Sequence, residues 1–244
     1  LIIEEHYEIL EHAIKMGYAK DLELRYNSNG VEWREDLFEL WKEFKLVRFH
    51  YSIDSIQQMN DYIRYPSNWE RQSQVFHILD NYTSNNVEVT VACAVQALNI
   101  YYIPDLIKWK LNQGFKKINM WPFGAGGVNY HFVYHPPHLN VKVLPAWFKA
   151  KCRKKYEEFY PWWEENWEKG VPSWHKGKVD YNKWRSASYG ISRLEGMLKF
   201  MESEDWSVRL PEMKEFLDLC DKQRGVSFAE TFPEMKDIFN VCKN

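Results

Sequence analysis

The 244-residue chain carries 32 basic and 34 acidic side chains, a formal charge of −2, and 45% hydrophobic residues. That composition supports a sizeable folded core and excludes an intrinsically disordered chain. No global basic field exists to hold nucleic acid, no apolar run approaches the ~20 residues of a membrane span, and no signal-peptide pattern is present. A soluble cytoplasmic protein without a nucleic-acid or membrane partner is the expectation.

The elements follow in order. EEHYEILEHAIKMG (4–17) sets Tyr7, Leu10, Ala13 and Ile14 at helical spacing, and Gly17 stops the helix. LELRYNSNG (22–30) alternates Leu22, Leu24 and Tyr26 and then turns, which predicts a strand. REDLFELWKEF (34–44) is helical, and KLVRFHYSID (45–54) is a second strand with Val47, Phe49 and Tyr51 on one face. NWERQSQVFHILDNY (68–82) predicts a helix capped by Asn68. VEVTVACAVQ (87–96) is a third strand, IPDLIKWKLNQG (103–114) a helix with Pro104 near its start, and FKKINMWPF (115–123) a fourth strand. This alternation is the pattern of βαβ units and a parallel sheet. GAGGVNY (124–130) reads as a flexible loop and YHFVYHPPHLNVKVLP (130–145) as mixed extended segments; from there the chain is mainly helical.

Ligands of parallel α/β folds gather at the carboxyl ends of the strands. Here those ends read Asn27-Ser28-Asn29, Ser52-Ile53-Asp54 and Gln96 with Asn99: small polar groups on three successive strands. Arg64, ten residues beyond Asp54, offers a planar fork for a carboxylate if it faces that mouth, and a surface ion pair if it does not.

Other patterns carry less. Cys93, Cys152, Cys220 and Cys242 are scattered without a CxxC-type motif, so they predict ordinary thiols rather than ligands or disulfides. His131, His135 and His138 have helical ligand spacing, but Pro136, Pro137 and Val133 oppose a helix there. GAGGVN lacks the strand–glycine–helix context of a phosphate cradle. KAKCRKKYEE (149–158) reads as a solvated helix face. The tryptophans of WWEENW (162–167), with Trp174 and Trp184, suit helix packing better than ligand stacking. No catalytic triad can be placed by spacing, and no catalytic residue is assigned.

The stretches LIIEEHYEILEHAIKMGYAKDLELRYNSNG, LFELWKEFKLVRFHYSIDS with NDYIRYPSNW, and VQALNIYYIPDLIKW together resemble the core of radical S-adenosylmethionine (SAM) enzymes, closest to the twitch-domain-containing group. In such proteins a GGEP motif ends the second barrel strand, an Asn-rich turn closes the third, and a Ser-(Ile/Leu)-Asp end closes the fourth, followed by an Arg. The resemblance implies a partial (β/α)6 radical SAM barrel over residues 1–145 and a mainly helical region over 146–244. It places Ser52 and Asp54 beside the SAM ribose with Asn27 or Asn29 nearby, Arg64 on the methionyl carboxylate, and Gln96 and Asn99 along the same mouth.

The family implies two cofactors, SAM and a 4Fe–4S cluster, the latter in the full-length protein. Reductive SAM cleavage there yields a 5′-deoxyadenosyl radical that takes hydrogen from substrate, which implies a reductant protein as partner and an unknown substrate, peptide or small molecule. The CxxxCxxC cluster motif and GGEP are absent from the 244 residues and would lie before Leu1. The expectation is therefore a fragment, inactive alone, of a radical SAM enzyme. Two rival readings are a noncatalytic α/β binding or scaffold module, and a barrel metal hydrolase using His131, His135 and His138.

Overall fold

The computed structural model describes residues 3–82, 84–116, 118, 128–170 and 186–243. Its centre is a four-stranded, wholly parallel sheet in the order β1 (Glu23–Ser28), β2 (Leu46–Ser52), β3 (Val87–Val95), β4 (Val128–Phe132). Between the strands run α1 (Glu4–Lys15) before β1, α2 (Leu37–Lys42), α3 (Gln57–Ile63) and α4 (Trp69–Asn81) before β3, and α5 (Ile103–Asn112) before β4. The protein is α/β, as its alternating pattern implies.

Period-2 alternation fixes which side of the sheet is dry. Val47, Phe49 and Tyr51 of β2 and Val89, Val91, Cys93 and Val95 of β3 are buried on one side. Helices supply the opposing surface: Trp41 of α2 lies 5.8 Å from the Phe49 ring, and Phe76 of α4 meets Tyr51 edge-on at 4.5 Å. Each such fully buried aromatic contributes about 1.5–3 kcal/mol relative to exposure. Gly30 shows how tight this packing is. It follows β1 at φ +59°, and a Cβ there would stand 2.9 Å from the Tyr51 ring. At α4 the Asn68 side chain accepts from the Arg71 amide at 2.8 Å, the cap expected from sequence.

The fourth strand departs from expectation. Val128, Asn129 and Tyr130, read from sequence as loop, belong to β4 and pair with β3 in the register Val91↔Val128 to Val95↔Phe132. Of the segment expected to be that strand, Ile118 forms a parallel bridge with Val89; residues 117 and 119–127, with Trp121, lie outside the described residues.

From Ala146 the described elements are helical: α6 (Ala146–Asn166), α7 (Ala187–Glu202), α8 (Leu210–Arg224) and the short α9 (Phe228–Thr231). They share the core of the sheet layer. Tyr156 of α6 is fully buried and donates to the Ile100 carbonyl at 2.7 Å. Tyr62 of α3 donates to Asp221 of α8 at 2.7 Å, while Arg224 donates to the Tyr62 carbonyl at 2.9 Å. The basic run 149–158 is solvated at Lys154, Glu157 and Glu158, as expected, but its other basic residues form a packing seam. Arg153 pairs with Glu195 and Glu202 of α7, Lys149 reaches the Glu204 carbonyl at 2.8 Å, and Lys155 lies 4.0 Å from the Tyr101 ring centre. Trp163 packs directly on Gly190 of α7, and Trp162 receives Lys108 over its ring; Trp174 and Trp184 lie outside the described residues. No helix among the described residues is long and apolar enough to cross a membrane.

Candidate functional site

The carboxyl ends of β2 and β3 are knotted together by side chains. Asp54, buried just beyond β2, accepts the Ala94 amide on Oδ1 at 2.6 Å and Arg64 Nη1 on Oδ2 at 2.9 Å. Burial pushes its carboxyl above the ordinary aspartate range, against the opposing pull of Arg64 and the Ala94 amide. Asn99 completes the clasp. Its Oδ1 accepts the Gln96 amide at 2.8 Å, and its Nδ2 donates to the carbonyls of Asp54 and Ala94, each at 2.9 Å. Asp54, Gln96 and Asn99 are buried and Arg64 and Ala94 half-buried, so most of these bonds replace a lost contact with water.

A second layer supports the first. Asn60 of α3 accepts the Asp54 amide at 3.1 Å and donates to Ser67 and to Gln72. Ser67 also donates to Gln72, whose carbonyl accepts Tyr51 Oη at 3.1 Å. This chain of amides fixes the turn that carries Arg64. Asp54, Arg64, Gln96 and Asn99 are thus brought together, but Asp54 spends its carboxylate on the Ala94 amide and Arg64, and Asn99 spends its side chain on the Gln96, Asp54 and Ala94 backbone.

The other predicted residues sit apart from that clasp. In register, Asn27 stands beside His50 and His50 beside Thr90; one step on, Ser52 stands beside Ala92 and Ala92 beside Asn129. These side chains point to the face opposite the packed helices, where Asn27 is exposed and His50, Ser52, Thr90 and Asn129 are half-exposed. His50 Nδ1 lies 2.8 Å from Thr90 Oγ1. Desolvation lowers its pKa, helped by Arg25, Arg48 and His131, so the ring is biased toward the neutral form that both donates and accepts. Asn29 lies in the loop beyond β1, where Ser28 Oγ accepts the Gly30 amide at 3.0 Å.

No protein-family model matches this chain, and no curated protein or solved structure matches it. The site must speak for itself.

Sequence reasoning missed His50, Thr90 and Asn129. The alternation that buries Phe49 and Tyr51 also sets His50 on the side of Ser52, so that signal was present. Asn129 carried no such signal, because its segment reads as loop.

The donor set does not fit an iron–sulfur cluster. Cys93, Cys152 and Cys220 are separately buried, and among the described residues no group of three or more His, Cys, Asp or Glu is placed to hold a metal ion. The histidine loop does not gather either: His131 and His135 are exposed, while His138 turns to Glu212 of α8 at 3.0 Å. For SAM the fit is better. Hydroxyl, amide and imidazole groups of the Asn27–His50–Thr90 row and Ser52 suit ribose and adenine hydrogen bonding.

Proposed function

We propose that the chain is the SAM-facing part of a radical SAM enzyme, its strands the later ones of a (β/α)6 barrel. One observation carries this reading. The face of the parallel sheet opposite the helices bears a polar row, Asn27–His50–Thr90, that runs from near the carboxyl ends of β1 and β2 to the middle of β3, with Ser52 at the carboxyl end of β2, the side where α/β folds bind ligands. SAM would supply the reactive adenosyl group, and Asn27, Ser52, His50 and Thr90 would orient its ribose and adenine. Asp54 and Asn99 would hold the rim in register, and Arg64, anchored by Asp54, would present its remaining Nη donors to the methionyl carboxylate. No ligand set for a cluster exists among the described residues, so no cluster step is assigned to this chain. The substrate and the reductant partner remain those the family resemblance implies.

The test uses a full-length parent carrying CxxxCxxC, reconstituted with iron and sulfide and supplied with dithionite and SAM. 5′-Deoxyadenosine should form, and less of it in Ser52→Ala. A parent that stays colourless and forms none contradicts the reading. A second reading, a noncatalytic α/β scaffold, is favoured by the internal saturation of Asp54 and Asn99. The same reconstitution separates the two.

A further inference from the structure

A cleft of about 680 Å³ opens where the loop after β1 meets the α3–α4 turn, lined among others by Asn29, Glu32, Arg64, Ser67, Asn68 and Arg71. Its volume falls within the roughly 300–1,000 Å³ of small-molecule sites. It is distinct from the polar row of the sheet, because Arg71 belongs to α4, which packs Phe76 on the opposite, apolar face.

Two guanidinium groups border this cleft. Arg64 gives Nη1 to Asp54, and its Nε is a buried donor without a partner among the described residues. Arg71 is held from two sides, with Nε donating to the Val31 carbonyl at 3.3 Å and the guanidinium 5.4 Å from the Trp33 ring centre. Among the described residues no carboxylate forms a salt bridge with Arg71. Held in this way, the fork loses little freedom on binding an anion. The charges around the cleft set a limit: Asp54 already matches Arg64, and Glu32 sits in the lining with Arg71. Those four charges sum to zero, so a single carboxylate is taken by the Arg71 fork, which no carboxylate ion-pairs among the described residues, whereas a dianion would be repelled by Glu32.

We propose that this cleft binds a small organic acid through a single carboxylate, gripped by Arg71 with Arg64 Nε as second donor. Carboxylate and guanidinium fork match geometrically, and the bonds are charge-assisted. Arg64 and Asn29 also belong to the proposed SAM site, so the cleft goes beyond that reading through Arg71 and Glu32, neither of which is assigned to SAM.

The test follows the Arg Nε–Hε resonances of the whole chain during titration with benzoate, with its neutral isostere benzamide, and with inorganic phosphate. Benzoate should shift Arg71 saturably and benzamide should not. Arg71→Gln should weaken benzoate about tenfold or more, with Arg71→Lys between the two, and Glu32→Gln should tighten it. Arg71 is exposed, so these variants should retain the native circular dichroism. The proposal is overturned by no benzoate response, by equal binding of benzamide, by unchanged affinity in Arg71→Gln, or by phosphate binding more tightly than benzoate. SAM titrated separately distinguishes this failure from that of the SAM reading.

Discussion

Arg64 Nη1 meets Asp54 Oδ2 at 2.9 Å across the turn that leaves β2, and the carboxylate it meets is almost wholly buried while the arginine keeps 28% of its side chain exposed. That asymmetry makes the pair a structural clasp as well as a rim of the proposed site. Arg64→Ala should cost about 3 kcal/mol, because it leaves a buried carboxylate without its counter-charge. Asp54→Asn in the same background should recover part of the loss. Denaturant midpoints of the single and double variants check this.

The same pair predicts a pH dependence. Asp54 has a raised pKa in the folded protein, so its favourable contribution belongs to low pH and is lost as pH rises through the folded value. Without Arg64 that value rises further. Stability of Arg64→Ala relative to the parent protein should therefore be worse at about pH 8 than at about pH 5. An equal deficit at both would show that Asp54 is not the group left exposed to the change.

Lys110 of α5 gives the opposite slope. Burial lowers its pKa to about 7, so between that value and the ordinary lysine range of about 10.4 the unfolded chain binds the extra proton. Stability should rise from about pH 7 to pH 9, and Lys149, also lowered by burial, adds in the same direction. Lys110→Met should flatten the rise, as read from urea midpoints at the two pH values.

The α6–α7 contact separates two glycines on one helix. A Cβ at Gly190 would stand 2.5 Å from the Trp163 ring, and a buried indole cannot swing aside. Gly190→Ala should cost about 1–3 kcal/mol by overpacking. Gly196 has nothing within 4 Å of its would-be Cβ, so Gly196→Ala should gain up to about 1 kcal/mol of helix propensity.

Much of the sheet was legible because burial writes itself into alternation. Val47-Arg48-Phe49-His50-Tyr51 declares both the strand and its dry face, and Asn68 announces the start of α4. β4 was legible only in part: Tyr130 to Phe132 fell in a segment read as extended, but Val128 and Asn129 close a glycine-rich run and lack the apolar alternation of a half-buried strand. The seam at 149–158 was hidden for another reason. Its acids, Glu195 and Glu202, stand some forty to fifty residues away on α7, and local charge counting cannot find such partners. For the site, composition of the strand ends located Ser52, Asp54, Gln96 and Asn99. It could not show that Asp54 and Asn99 would bond inward while Ser52 and Asn27 face out.

The central claim, that the polar row of the sheet holds SAM, is tested most directly by mapping backbone amide shifts of the whole chain during a SAM titration. Saturable shifts centred on Asn27, His50, Ser52 and Thr90 are expected, weakened in Ser52→Ala. Shifts absent from those four at excess SAM, or confined to the Arg71 cleft, would contradict it.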